Sequence, residues 1–97
     1  MYIQSVHMDC QWNPAKAKAN VKKHGIEFAD AVGVFEDPSA ITIEDLKAEG
    51  EQRFLSLGLD FLGQIIVVAY TYRGEHIRLI SARKASKKEV RIYERRI

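Results

Sequence analysis

Four arginines, Arg53, Arg73, Arg78 and Arg83, fall in or at the ends of segments that read as β-strands. A guanidinium stays charged at neutral pH and grips phosphate through two parallel hydrogen bonds. A strand holds it more rigidly than a loop does, which matters where charge develops in a transition state. Arg78 lies between Ile77 and Leu79 in a half-buried strand. An unpaired charge there costs on the order of several kcal/mol, so it calls for an anion or an acid partner. Glu89 or an acid of the second helix is the partner to consider inside the chain, for Arg78 and for Arg83. Lys23 and His24 end a basic helix. Imidazole titrates near neutral pH, so proton transfer competes with a plain C-cap role for His24.

The remaining basic side chains extend this pattern. Acids crowd the stretch from Glu27 to Glu51, where Lys47 is the sole base, whereas bases dominate from Arg73 onward. Lys84, Lys87, Lys88 and Arg91, with Arg73, suit contacts to a nucleic-acid backbone, and Tyr72 is the candidate for stacking on a base. A solvated helix face is the competing reading of the charge run. Tyr70 and Tyr93 fit the core or its rim, and Trp12 is expected to pack on the sheet. His7 and His76 have no partner at metal-ligand spacing and Cys10 stands alone, so neither a metal site nor an internal disulfide is expected, and no cofactor. Phosphate-loop, dinucleotide-binding, nucleophile-elbow and zinc-protease motifs are all missing from the chain. No apolar run approaches a membrane span and no signal-peptide pattern is visible, which fits a cytoplasmic protein.

The 97 residues read as one domain around one modest core. Residues Asp9 to Trp12 alternate like a strand, after an extension or edge strand at Met1 to His7. Asn13 caps a helix with Pro14 in its first turn, and Gly25 stops that helix after His24. Phe28, Ala31, Val32 and Phe35 keep helical spacing, which predicts a second helix ended by Asp37-Pro38. Strands are expected over Ala40 to Ile43, Arg53 to Leu59, Gln64 to Tyr72 and His76 to Ala82, with turns at Phe61-Leu62-Gly63 and Arg73-Gly74-Glu75. Arg53, Leu55, Leu57 and Leu59 share one side of their strand, and Gln64 to Tyr72, apolar on both sides, is expected at the centre. Ser86 and Glu89 form a capping box for a last helix, whose expected buried stripe is Val90, Tyr93 and Ile97. The fold class is α+β: helices covering one face of a mainly antiparallel sheet, with the other face left for a ligand.

Two signatures in order resemble the BrnT family of bacterial toxins, small ribonucleases of the RelE superfamily. The first is Trp12-Asn13-Pro14-Ala15-Lys16, Asn20, Lys23-His24-Gly25 and Phe28 to Ala31, followed by Phe35-Glu36-Asp37-Pro38 and Arg53. The second is Arg78 to Ser86 with Glu89 and Tyr93. Asn13 stands where the family usually has Asp, and Met1 to His7 precedes the family's usual start, so Met8 is an alternative initiator. The resemblance implies a RelE-like fold and metal-independent RNA cleavage within a type II toxin–antitoxin module. It also implies a ribbon-helix-helix, BrnA-like antitoxin whose complex binds operator DNA. Attack of an RNA 2′-hydroxyl on the adjacent phosphate fits these residues, with Arg53, Arg78 and Arg83 as cations and Lys23 or His24 for proton transfer. The alternative from another class is a non-catalytic protein that binds nucleic acid or an antitoxin through the same basic face.

Overall fold

The computed structural model describes residues 2–4 and 9–97. Of the segment read as an extension, Tyr2–Gln4 forms an edge strand, β1; Met1 and residues 5–8, including His7 and Met8, lie outside the described residues. β2 (Asp9–Gln11) leads into α1 (Pro14–His24), α2 (Phe28–Ala31) and a 3-10 helix (Val32–Glu36). β3 (Ile41–Glu44), β4 (Phe54–Leu59), β5 (Ile65–Arg73) and β6 (His76–Lys84) follow, and α3 (Lys87–Arg96) closes the chain. The described strands form one six-stranded sheet in the order β1-β2-β6-β5-β4-β3. Its meander is antiparallel, and the pairing of β2 with β6 is parallel.

Local chemistry sets the helix ends. Asn13 Oδ1 accepts from the Ala15 N–H at 2.8 Å, and Gly25 takes φ 72°, a left-handed stop that a side chain would strain. The second helix differs from its expected form: it turns into a 3-10 helix at Val32. Gly33 in that stretch lets another segment come close. A Cβ there would lie 2.5 Å from the Phe61 backbone N, and the Phe61 N–H donates to Asp30 O at 3.0 Å. The Asp60–Gln64 turn therefore presses directly on this segment.

The two faces of the sheet are distinguished by strand alternation. Ile66, Val68, Tyr70, Ile77, Leu79 and Ala82 point to one face and meet Phe28, Ala31, Val32 and Val34, forming the main core. Cys10 is fully buried there; burial, helped by the charges of Asp9 and Glu36, pushes its thiol up to about 11 and keeps it protonated. Leu55, Leu57, Leu59, Ile65 and Val67 point to the other face, where Tyr93 of α3 covers them. This corrects the expectation that all helices share one face: α3 lies opposite α1 and α2 and covers only one end of the second face. Ile97 also departs from the expected stripe, since it follows the helix and is exposed.

Candidate active site

The part of the second face that α3 leaves uncovered carries the strand arginines. Thr71 pairs with Arg78, which pairs in turn with Gln11 on β2. Phe54 pairs with Tyr70, so Arg53, one residue earlier, comes level with Thr71. Partners across a ladder share a face. Arg53, Thr71, Arg78 and Gln11 therefore form a transverse row, with Arg53 and Arg78 two strand spacings apart, about 10 Å between backbones. The neighbouring row holds Ala69, Ser81 and Leu55. A bulge between Ala69 and Tyr70 leaves Ile80 as the extra residue of β6. The next row brings Arg83 opposite Val67, beside α3.

The three arginines are held differently. Arg83 is clamped: its Nη1 and Nη2 donate to Glu89 Oε1 and Oε2 at 2.8 and 2.9 Å. The same Oε1 accepts from the Ser86 N–H at 2.8 Å, while Ser86 Oγ caps the Glu89 N–H. The Arg83 hydrogen bonds hold the Glu89 carboxyl down at about 2, against an opposing push from burial, and the Ser86 contacts assist. The bonds to Glu89 raise Arg83 above its ordinary value in return. The acid weighed as a partner for Arg78 is thus engaged by Arg83. Arg53 and Arg78 are half-buried, and among the described residues neither has a carboxylate within ion-pair distance. Arg53 Nε is buried without a hydrogen-bond partner. The Thr71 hydroxyl donates to Gln52 O at 2.6 Å, which fixes the backbone one residue before Arg53.

Other residues singled out from the sequence lie further off. Lys23 and His24 end α1, on the opposite face. Asn20, one turn before His24, holds α1 to β6: its Nδ2 donates to Ile26 O and Ala82 O at 2.9 Å each, and its Oδ1 accepts the Ala82 N–H at 3.0 Å. Asn20 thereby satisfies the outer edge of β6 beyond Arg78, where β2 no longer pairs. Tyr72 also points to the main-core side, in an aromatic group with Tyr70 and Phe54, and stays 47 % exposed. Arg73 shares the arginine face and pairs with Glu51 at 3.6 Å. Lys84, Lys87, Lys88 and Arg91 are exposed around the start of α3. Tyr93 is a fastening: its hydroxyl donates to Asp37 Oδ2 at 2.7 Å, and the Leu59 N–H donates to the same oxygen at 2.9 Å. Burial, then the bond to Asp37, pushes Tyr93 up to about 12. Burial alone would raise Asp37, but the Tyr93, Leu59 and Ser39 donors outweigh it and hold Asp37 below its ordinary value.

Sequence reasoning weighed His76 only as a metal ligand and passed over Asp9. His76 and Asp9 are register partners on β6 and β2, and His76 Nδ1 lies 3.5 Å from Asp9 Oδ2. The spacing of His76 two residues before Arg78 was a usable signal, because such residues share a strand face. The parallel partner Asp9 left no signal. A cleft of about 820 Å³ lined by Trp12, Ala15, Lys18, Lys22 and Phe28 runs beside α1, away from the arginine face. Among the described residues no cluster of His, Cys, Asp or Glu is arranged to hold a metal ion, and no helix is long and apolar enough to cross a membrane.

What this arrangement can do is bind a phosphodiester, flanked by two guanidiniums with no carboxylate partner among the described residues and with a third, paired with Glu89, held rigid nearby. No curated protein matches the chain. The family described as the ribonuclease toxin BrnT of type II toxin–antitoxin systems matches residues 12–89. The crystal structure of the Brucella abortus ribonuclease toxin BrnT is similar at 32% sequence identity and a TM-score of 0.62, covering 78% of this chain and 94% of that one. The chain therefore belongs to the BrnT family of ribonuclease toxins of type II toxin–antitoxin systems.

Proposed function

We propose that this chain is an endoribonuclease that cleaves RNA by attack of a 2′-hydroxyl on the adjacent phosphate, and that it slows translation and growth when unopposed. The observation that carries the reading is the pair of half-buried arginines, Arg53 and Arg78, flanking buried Thr71 with no carboxylate partner among the described residues. A phosphorane gains charge in the transition state, and fixed guanidiniums stabilise that charge without reorganising. Arg83, its charge balanced by Glu89, adds a rigid hydrogen-bond donor along the same face. Arg73, Lys84, Lys87, Lys88 and Arg91 extend the positive border for the flanking strand. Because the nucleophile belongs to the substrate, the route does not require a metal to activate water.

The family brings an antitoxin partner. In this reading the antitoxin is a ribbon-helix-helix protein that binds operator DNA in the complex, works in the cytoplasm beside its toxin, and places carboxylates against Arg53 and Arg78. The test is cleavage of a defined RNA by the purified protein in EDTA. Each of Arg53→Ala, Arg78→Ala and Arg83→Ala is expected to slow cleavage at least about 100-fold, the scale of losing one transition-state donor, with the circular dichroism spectrum retained. Added antitoxin is expected to abolish cleavage. Salt-dependent RNA binding without product would favour the non-catalytic alternative, and activity lost to EDTA and restored by a divalent ion would sink the 2′-hydroxyl route.

A further inference from the structure

We infer that His76 is the general base of the reaction and that Asp9 is the residue that positions it; the inference rests on the ribonuclease reading above. His76 opens β6 on the arginine face, two residues before Arg78, so the two side chains rise from backbones about 7 Å apart. That separation suits a phosphate held by Arg78 and the 2′-hydroxyl of the ribose whose 3′-oxygen carries that phosphate. The His76 side chain is 39 % exposed, so substrate can reach the ring. Asp9 approaches it from the neighbouring strand, at 3.5 Å from Nδ1. At 3.5 Å Asp9 acts on Nδ1 as a nearby charge rather than as a hydrogen-bond acceptor, and it favours the tautomer with the proton on Nδ1, in which Nε2 is the basic nitrogen. Catalytic contacts of this kind commonly tighten when substrate binds.

The step balances without a further reactant. Nε2 takes the 2′-hydroxyl proton as the O2′–P bond forms. The P–O5′ bond breaks, the 5′-oxygen leaves with a proton from solvent, and the products are a 2′,3′-cyclic phosphate and a 5′-hydroxyl. Lys23 and His24 stand on the other side of the sheet and would have to reach round the edge of β6 that Asn20 closes. The charged groups facing His76 among the described residues are Asp9 on β2, Arg73 on β5 with its partner Glu51, and Glu75 and Arg78 on its own strand and turn. Within this set Asp9 is the group placed to hold the ring.

The experiment is single-turnover cleavage across pH 5–9 by wild type, His76→Gln, His76→Ala and Asp9→Asn. Both His76 variants are expected to lose at least about 100-fold at neutral pH, the usual scale of general base catalysis. They should also lose the fall in rate that protonation of imidazole imposes on wild type at low pH. Free imidazole should restore part of the His76→Ala activity, which no merely structural role would allow. Asp9→Asn should lower the single-turnover rate at saturation with little change in the half-saturating concentration. If both His76 variants keep the wild-type rate and profile while Arg78→Ala is inactive, His76 is not the base and the ribonuclease reading survives. If wild type itself yields no product, both fall.

Discussion

Asn20 offers the sharpest test of how the arginine face is supported. Replacing it with Leu keeps the shape of the side chain and removes every hydrogen-bonding atom. Three buried backbone groups then lose their partners: the carbonyl of Ile26 and both the N–H and carbonyl of Ala82. Each orphaned buried group costs roughly 1–3 kcal/mol. Carbonyls tolerate loss better than an N–H, so the sum is set near the low end, about 4 kcal/mol. That is a large share of the roughly 5–15 kcal/mol available to a domain of this kind, and it corresponds to a fall in Tm of roughly 15–30 °C. Asn20→Ala should cost about half as much, because the vacated polar space admits a water. Urea unfolding with linear extrapolation measures both, and the slope should not change. If Asn20→Leu costs less than about 1 kcal/mol, no more than an exposed helix cap, the edge of β6 does not depend on this side chain and the reasoning fails.

Two other fastenings give narrower predictions. Tyr93→Phe leaves Asp37 with its backbone donors alone and should cost about 1–2 kcal/mol in the same unfolding assay, with cleavage preserved below the melting transition. Glu89 titrates at about 2 in the fold against an ordinary 4.5, so its stabilisation is complete above about pH 4.5 and is lost as pH falls toward 2. The stability gap between wild type and Glu89→Gln should therefore be widest at neutral pH and close in acid; a gap that stays constant from pH 6 to pH 3 would contradict the Arg83–Glu89 clamp.

Much of this architecture was readable from local chemistry. Asn13 and Gly25 bound the first helix, Ser86 and Glu89 open the last, and alternation along β4 separates the two faces. What stayed hidden depends on partners far apart in sequence. Asn20 looks like an ordinary helix residue until Ala82, 62 positions away, meets it. Gly33 carries a helical pattern into a place where a crossing turn forbids an α-helical side chain. Amphipathicity showed that α3 buries Tyr93 but not on which face of the sheet. For the candidate site, the strand arginines were visible as residue types. Glu89 was a candidate for both Arg78 and Arg83, and the turn into α3 gives it to Arg83; that Asp9 stands beside His76 is a fact of register that no single segment contains.

The order of the strands also sets when the arginine face comes into being. Ribosomes release a chain from its N-terminus at roughly 5–20 residues per second, so α1 and α2 emerge seconds before the sheet they cover. β2 has its parallel partner only once His76 to Arg78 has been made, and Arg83 finds its carboxylate only at Glu89. A message broken before that point yields a chain with apolar helix faces and no assembled charge row. The face is therefore completed only when the segment from His76 to Glu89 has been made and has joined the sheet.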